Sequence, residues 1–240
     1  MLLKNKCVLI TGANGALGRA VAARAAAFGA SQLLLVDIDE NIDASEITSQ
    51  ALDDDAKVPA CRVEKYGVDL TDQRGVKTLF NALPHIDAVF NIAGGFDMGT
   101  SVIADDDEQW QAMFAINVTT LRNVLRACAP SMVAAGRGAI VNIGALGALQ
   151  GQAQMSAYIA AKSTVMRLTE SLSAELKEKG INVNAVLPNV IDTPRNRADM
   201  PDADTSRWVK PQDLANIICM LGSDFSTAMH GALIPVRGLD

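Results

Sequence analysis

A chain of 240 residues with 49% hydrophobic and 20% charged side chains can bury one continuous α/β core, and this composition excludes disorder on a large scale. Its net charge of −6 supplies no basic field to draw in nucleic acid or an anionic membrane surface, so a small-molecule substrate is the expected partner. With no apolar run long enough to span a bilayer and no cleavable leader legible at Met1 to Lys6, a cytoplasmic location is expected.

Taken in chain order, the apolar residues 7–10 read as a strand, and Thr11-Gly12-Ala13-Asn14-Gly15-Ala16-Leu17-Gly18 follows at once and opens an Ala-rich helix over 16–28. In that strand-turn-helix context glycine permits a tight turn and lets backbone N–H groups approach a pyrophosphate at the positive end of the helix. Gly12, Asn14, Gly15, Ala16, Leu17 and Gly18 are therefore candidate cofactor-binding residues. A second strand over 33–36 ends at Asp37, followed by Ile38, close to the spacing of about 20 residues at which an acid meets the adenosine ribose. A carboxylate there accepts from the ribose hydroxyls and repels a 2′-phosphate. No Arg or Lys occurs between Ile38 and Ile42, so NAD(H) is expected over NADP(H); the plainer alternative is that Asp37 only begins a turn.

A weaker strand over 61–68, a helix over 72–82 and strands over 88–90, 139–142, 181–186 and 232–235 continue the alternation. Apolar strands separated by helices predict a doubly wound parallel sheet of the Rossmann type, about seven strands in a single domain covering 1–240. The longest helical patterns, 118–135 and 155–179, read as buried or subunit-facing. The stretch from Pro188 to Trp208 has no clear period, and its place after a strand's carboxyl end predicts a substrate lid over about 189–210. Cys7, Cys61, Cys128 and Cys219 are scattered and the two histidines, His85 and His230, stand far apart, so no metal site is expected.

Tyr158 and Lys162 lie four residues apart within the second long helix, on one face of it. A neighbouring ammonium favours tyrosinate, which predicts a phenol pKa drawn down from about 10 toward the working pH, so that Tyr158 exchanges the proton that accompanies a hydride. Lys162 can also bond a nicotinamide ribose.

Together these residues resemble the short-chain dehydrogenase/reductase family along essentially the whole chain. The resemblance implies that Asn91-Ile92-Ala93-Gly94 supports the fourth strand and the cofactor, and that Asp69-Leu70 lies beside the adenine. It further implies that Asn117 is the catalytic asparagine relaying protons through water to Lys162. In Pro188-Asn189-Val190-Ile191-Asp192-Thr193 it places the Ile191 backbone and the Thr193 side chain at the nicotinamide carboxamide. Asn189 and Ala16 replace two of the family's usual glycines, a minor matter because backbone amides hold the pyrophosphate.

A larger departure is Ala145, at the position of the family's catalytic serine. Losing one oxyanion donor typically costs about 2.7–4 kcal/mol of transition-state stabilisation, which argues against ordinary ketone or alcohol turnover. The branch of dihydropteridine reductases shares that loss and resembles this chain in Gly15 to Gly18, Ala93-Gly94-Gly95, Gly144 to Tyr158 and Met200 to Trp208. It implies hydride transfer from NADH to quinonoid dihydropterin, a conjugated heterocycle, with Ala145, Gly95 and Trp208 facing the substrate and Trp208 or Phe96 stacking on it. It also implies a homo-oligomer, dimer or tetramer, with 118–135 and 155–179 as the interface helices. Another carbonyl- or alcohol-directed activity of the same family, or a non-catalytic NAD(H)-binding sensor, is the alternative.

Overall fold

The computed structural model describes residues 1–45, 47, 61–104 and 107–239. A seven-stranded sheet carries strands β1 (Cys7–Thr11), β2 (Gln32–Asp37), β3 (Arg62–Gly67), β4 (Ala88–Asn91), β5 (Gly138–Ile143), β6 (Ile181–Pro188) and β7 (Leu233–Val236), in the order β3-β2-β1-β4-β5-β6-β7. Every pairing is parallel, as the continuous apolar runs require. Helices α1 (Ala16–Ala27), α2 (Gln73–Ala82), α3 (Glu108–Phe114), α4 (Thr120–Ala135), α5 (Ser156–Leu176), α6 (Pro194–Asp199) and α7 (Pro211–Leu221) connect them.

Successive strand residues point to opposite faces, and the two faces have separate cores. Val8, Ile10, Leu33, Leu35, Phe90 and Val141 pack against Ala22 and Ala25 of α1 and Leu214 and Ile218 of α7. Leu9, Leu34, Val36, Val89, Ile140 and Val183 pack against Val76 of α2, Val124, Cys128 and Met132 of α4, and Val165 of α5. Each fully buried Leu, Ile or Val contributes about 1.5–3 kcal/mol. Helix starts follow local chemistry: Asp72 accepts the Arg74 N–H ahead of α2, Thr193 accepts the Asn196 N–H ahead of α6, and Pro194 and Pro211 stand in the first turns of α6 and α7.

Strand register aligns the sheet's carboxyl end. Thr11 pairs with Val36 on one side and Asn91 on the other, and Asn91 with Asn142, so the last residues of β1, β2, β4 and β5 end along one rim.

The structure corrects two expectations. Residues 108–119, outside the sequence-predicted elements save for Val118 and Thr119, form α3 and a π-helical turn, Ala115–Thr119, leading into α4. The stretch over 188–208, expected to be irregular, is largely structured: β6 runs to Pro188, α6 comes next, and Thr205–Arg207 makes a 3₁₀ turn. Its base is stitched shut by Asp192 N–H to Val209 O at 2.8 Å and Val209 N–H to Val190 O at 2.9 Å. Among the described residues no helix is long and apolar enough to cross a membrane.

Candidate active site

Between β1 and β4 the chain reverses its order of strand addition, and the crevice at their carboxyl ends is where such sheets bind ligands. The turn after β1 fills it. Gly12 has φ +65°, and a Cβ there would stand 2.7 Å from the Ala93 nitrogen, so only glycine lets this turn lie against the end of β4. Gly18 is as confined, its Cβ position lying 2.1 Å from the Gly12 carbonyl oxygen, whereas Gly15 meets that oxygen at an ordinary 3.4 Å. No side chain caps α1 and its first turn carries no acid. The leading N–H groups of α1, from Ala16 and Leu17 onward, therefore offer the donors and the positive dipole end that fit a pyrophosphate.

Asp37, at the end of β2, accepts the Asn14 N–H on Oδ2 at 2.9 Å and the Ile38 N–H on Oδ1 at 2.8 Å. The carboxylate thus braces the glycine-rich turn and keeps lone pairs for further donors. Ile38 beside it is 75% exposed. Arg19, which no sequence motif singles out, donates to the Asn14 carbonyl at 2.6 Å and holds the turn from the helix side. Asp69 is committed to its own turn, accepting from the N–H and hydroxyl of Thr71, which holds its carboxyl below the usual range. Asn123 on α4, also unforeseen, fixes the same segment by donating to the carbonyls of Leu70 and Thr71 at 2.9 and 3.1 Å.

Asn91 begins a buried relay of amides. Its Nδ2 donates to Asn142 Oδ1 at 2.8 Å, and Asn142 Nδ2 donates to Thr169 Oγ1 at 2.9 Å, tying β4 and β5 to α5. Its Oδ1 is buried without a hydrogen-bond partner among the described residues. Ala93 N–H donates to Thr11 Oγ1 at 3.2 Å, so both flanks of the turn are anchored.

Helix α5 carries Tyr158 and Lys162 to the same rim. Lys162 is buried and donates from Nζ to the Ile143 carbonyl at 3.0 Å, at the end of β5. Burial lowers its ammonium to about 8, and burial raises the Tyr158 phenol to about 12. The expected downward shift of the phenol is therefore corrected: desolvation disfavours the charged form of both groups, and it is the cause of each shift.

Asn117 lies in the π-helical turn, which aims its carboxamide at the loop after β4. Oδ1 accepts the Gly95 N–H at 3.1 Å, while Nδ2 donates to the carbonyls of Gly95 at 3.0 Å and Met113 at 3.1 Å. Its side chain is thus a clasp on Gly95. Gly94 sits between the two polar groups: a Cβ there would lie 2.8 Å from Asn117 Oδ1 and 3.2 Å from Lys162 Nζ.

Ala145 is buried at the N-terminal edge of a 3₁₀ turn, Leu146–Leu149, in a cluster with Ala148, Ile159, Met166 and Leu187 against which Tyr158 packs. An apolar methyl thus stands in the phenol's neighbourhood. Phe96, 37% exposed, meets the Tyr158 ring edge to face with centroids 4.8 Å apart. Trp208, expected to face the substrate, is only 7% exposed.

Pro188 ends β6, where the rim closes. The Ile191 carbonyl accepts from Asn196 Nδ2 at 2.8 Å, and Thr193 Oγ1 accepts the Asn196 N–H at 3.2 Å, which still leaves the threonine proton free of that cap.

Comparison with known proteins places this geometry. The family model described as short chain dehydrogenase matches residues 6–204. A 3alpha-hydroxysteroid dehydrogenase of Mediterraneibacter gnavus is 31% identical, over 99% of this chain and 98% of that protein. A structure from Agrobacterium tumefaciens, assigned as a 2-deoxy-D-gluconate 3-dehydrogenase and holding NADP, superimposes with a TM-score of 0.86 at 30% identity, covering 99% and 96% of the two chains. A 3-oxoacyl-[acyl-carrier protein] reductase of Brucella melitensis with bound NAD gives 0.83 at 27% identity, covering 98% and 90%. These names span several substrates and both coenzymes, and none of them points to a pterin. The phosphate turn, the Tyr158 and Lys162 pair and the match along most of the sequence lead to one conclusion: the chain belongs to the short chain dehydrogenase family of NAD(P)-dependent oxidoreductases.

Proposed function

We propose that this protein uses NADH to reduce a small conjugated heterocycle of the dihydropterin type. The observation that carries the reading is Ala145, a buried methyl in the apolar cluster against which Tyr158 packs. An isolated ketone reduced there would have the phenol as donor but not the usual second hydroxyl, at a cost of about 2.7–4 kcal/mol. A conjugated ring system spreads the developing charge over several atoms and depends less on that donor.

In this reading the N–H groups at the start of α1, with Gly12, Asn14, Gly15, Ala16, Leu17 and Gly18, hold the pyrophosphate. Asp37 accepts from the adenosine ribose and favours NADH over NADPH, and the exposed Ile38 and the Asp69-Leu70 turn flank the adenine. Asn91, Ala93 and Gly94 form the floor, while Pro188, the Ile191 backbone and the Thr193 hydroxyl meet the carboxamide. The bound nicotinamide supplies the hydride. Tyr158 delivers the proton from its hydroxyl, Lys162 orients the ribose and restores the phenol's proton, and Gly95 borders the substrate. A relay through Asn117 runs through its main chain, because its carboxamide is committed to Gly95. The protein acts as a cytoplasmic homo-oligomer, a dimer or tetramer, built on α4 and α5.

A second reading has support from the relatives: hydride exchange with a carbonyl or alcohol, since the similar proteins are named for a hydroxysteroid, a sugar acid and an oxoacyl group. A panel with NADH separates the two. Dihydropterin turnover about a hundredfold above simple ketones supports the first, and equal or faster ketone turnover supports the second.

A further inference from the structure

The loop after β4 is fastened at two points. Asn117 clasps both the N–H and the carbonyl of Gly95, and the Gly99 N–H donates to the Gln154 carbonyl at 2.8 Å. Gln154 has φ +59°, a left-handed conformation that a side-chain-bearing residue adopts only under constraint, and it lies two residues before α5. The loop is thus bound to the π-helical turn at one end and to the approach of the tyrosine-bearing helix at the other. There is little slack: a Cβ on Gly95 would stand 3.0 Å from Ile116 Cδ1.

Phe96 is carried between these two fastenings. Its ring stands edge to face on Tyr158, centroids 4.8 Å apart and planes at 84°, the arrangement favoured by ring quadrupoles. Tyr158 also packs against two buried clusters, one containing Ala145 and Ile159 and one containing Met113 and Ala161. The phenol ring is therefore in contact with buried side chains and with Phe96, which is itself 37% exposed.

Resting on the hydride-transfer reading, we infer that Phe96 is a positioning residue: held by Asn117 through Gly95, it fixes the Tyr158 ring for proton transfer and keeps water from that side of it.

The chain has two tyrosines, Tyr66 and Tyr158, so a Tyr66→Phe background leaves the phenol of Tyr158 as the one read by ultraviolet difference absorbance. At about pH 10, where an ordinary tyrosine is half ionised, Phe96→Ala in that background raises the ionised fraction, because water reaches the ring. Phe96→Trp leaves it near the background value. In steady-state assays Phe96→Ala lowers kcat by about tenfold or more with a smaller change in KM, and Phe96→Trp restores most of it. Equal ionised fractions in the background and in Phe96→Ala overturn the inference, as does a kcat within about twofold of the parent. If the parent protein moves no hydride, the activity reading fails, while the titration still decides the role of Phe96.

Discussion

Lys162 reaches across from α5 to donate a hydrogen bond to the carbonyl of Ile143 at the end of β5, 3.0 Å away, and is buried in doing so. No carboxylate is among the causes of its shift; burial alone takes the ammonium to about 8. A lowered pKa in the folded state means that the unfolded chain binds more protons between about 8 and 10.5, so this group makes stability rise with pH through that window.

Lys162→Met removes the desolvated charge. The variant is more stable than the parent at neutral pH by up to about 3 kcal/mol, less about 1 kcal/mol for the lost hydrogen bond, and the difference fades once the pH passes the ordinary lysine range. Thermal melts as a function of pH check this. An excess stability that stayed constant with pH would place its origin in packing instead of charge.

Gly94→Ala puts a methyl 2.8 Å from Asn117 Oδ1 and 3.2 Å from Lys162 Nζ. Asn117 Oδ1 must shift and Lys162 Nζ must give by a few tenths of an ångström; since a 1 Å misplacement costs about a hundredfold in rate, about tenfold is expected here. The expected result is a kcat lowered by about that factor with the fold retained by circular dichroism. Activity within about threefold would show that the clasp is pliable.

Asp37→Ala removes the brace on the Asn14 N–H as well as the charge proposed to meet the ribose. Calorimetry is expected to give an NADH affinity about tenfold weaker, corresponding to about 1.4 kcal/mol, and an NADPH affinity unchanged or tighter. Equal losses for the two coenzymes would mean that Asp37 acts only on the turn.

Ala145→Ser restores a hydroxyl beside Tyr158. Ketone turnover is expected to rise by about a hundredfold or more, while dihydropterin turnover changes little. A serine that fails to raise ketone reduction would remove the reason for preferring a conjugated substrate.

Much of the fold was legible because strands buried on both faces, such as Leu33 to Val36, are apolar throughout, and because Thr11 to Gly18 succeeds a strand and opens a helix. The π-helical turn around Asn117 was not legible, since its backbone departs from the period that apolar spacing reports. The same holds for the stretch after β6, where α6 is a six-residue helix set by the Thr193 cap and Pro194 rather than by an apolar stripe. At the site, Tyr158 and Lys162 could be read from their spacing, but the sign of the phenol's shift could not, because desolvation depends on what packs around the pair. Asn123 and the edge contact of Phe96 act through partners distant in the chain, and no local pattern announces such partners; Arg19 reaches the Asn14 carbonyl only five residues away, but a contact to a backbone oxygen leaves no mark in the sequence.

The most direct test monitors NADH oxidation with quinonoid dihydropterin by the parent protein and by Tyr158→Phe. The account predicts turnover by the parent and a loss of about a thousandfold in the variant, which retains its affinity for NADH. Equal rates in the two proteins, or no detectable binding of either coenzyme, would contradict it.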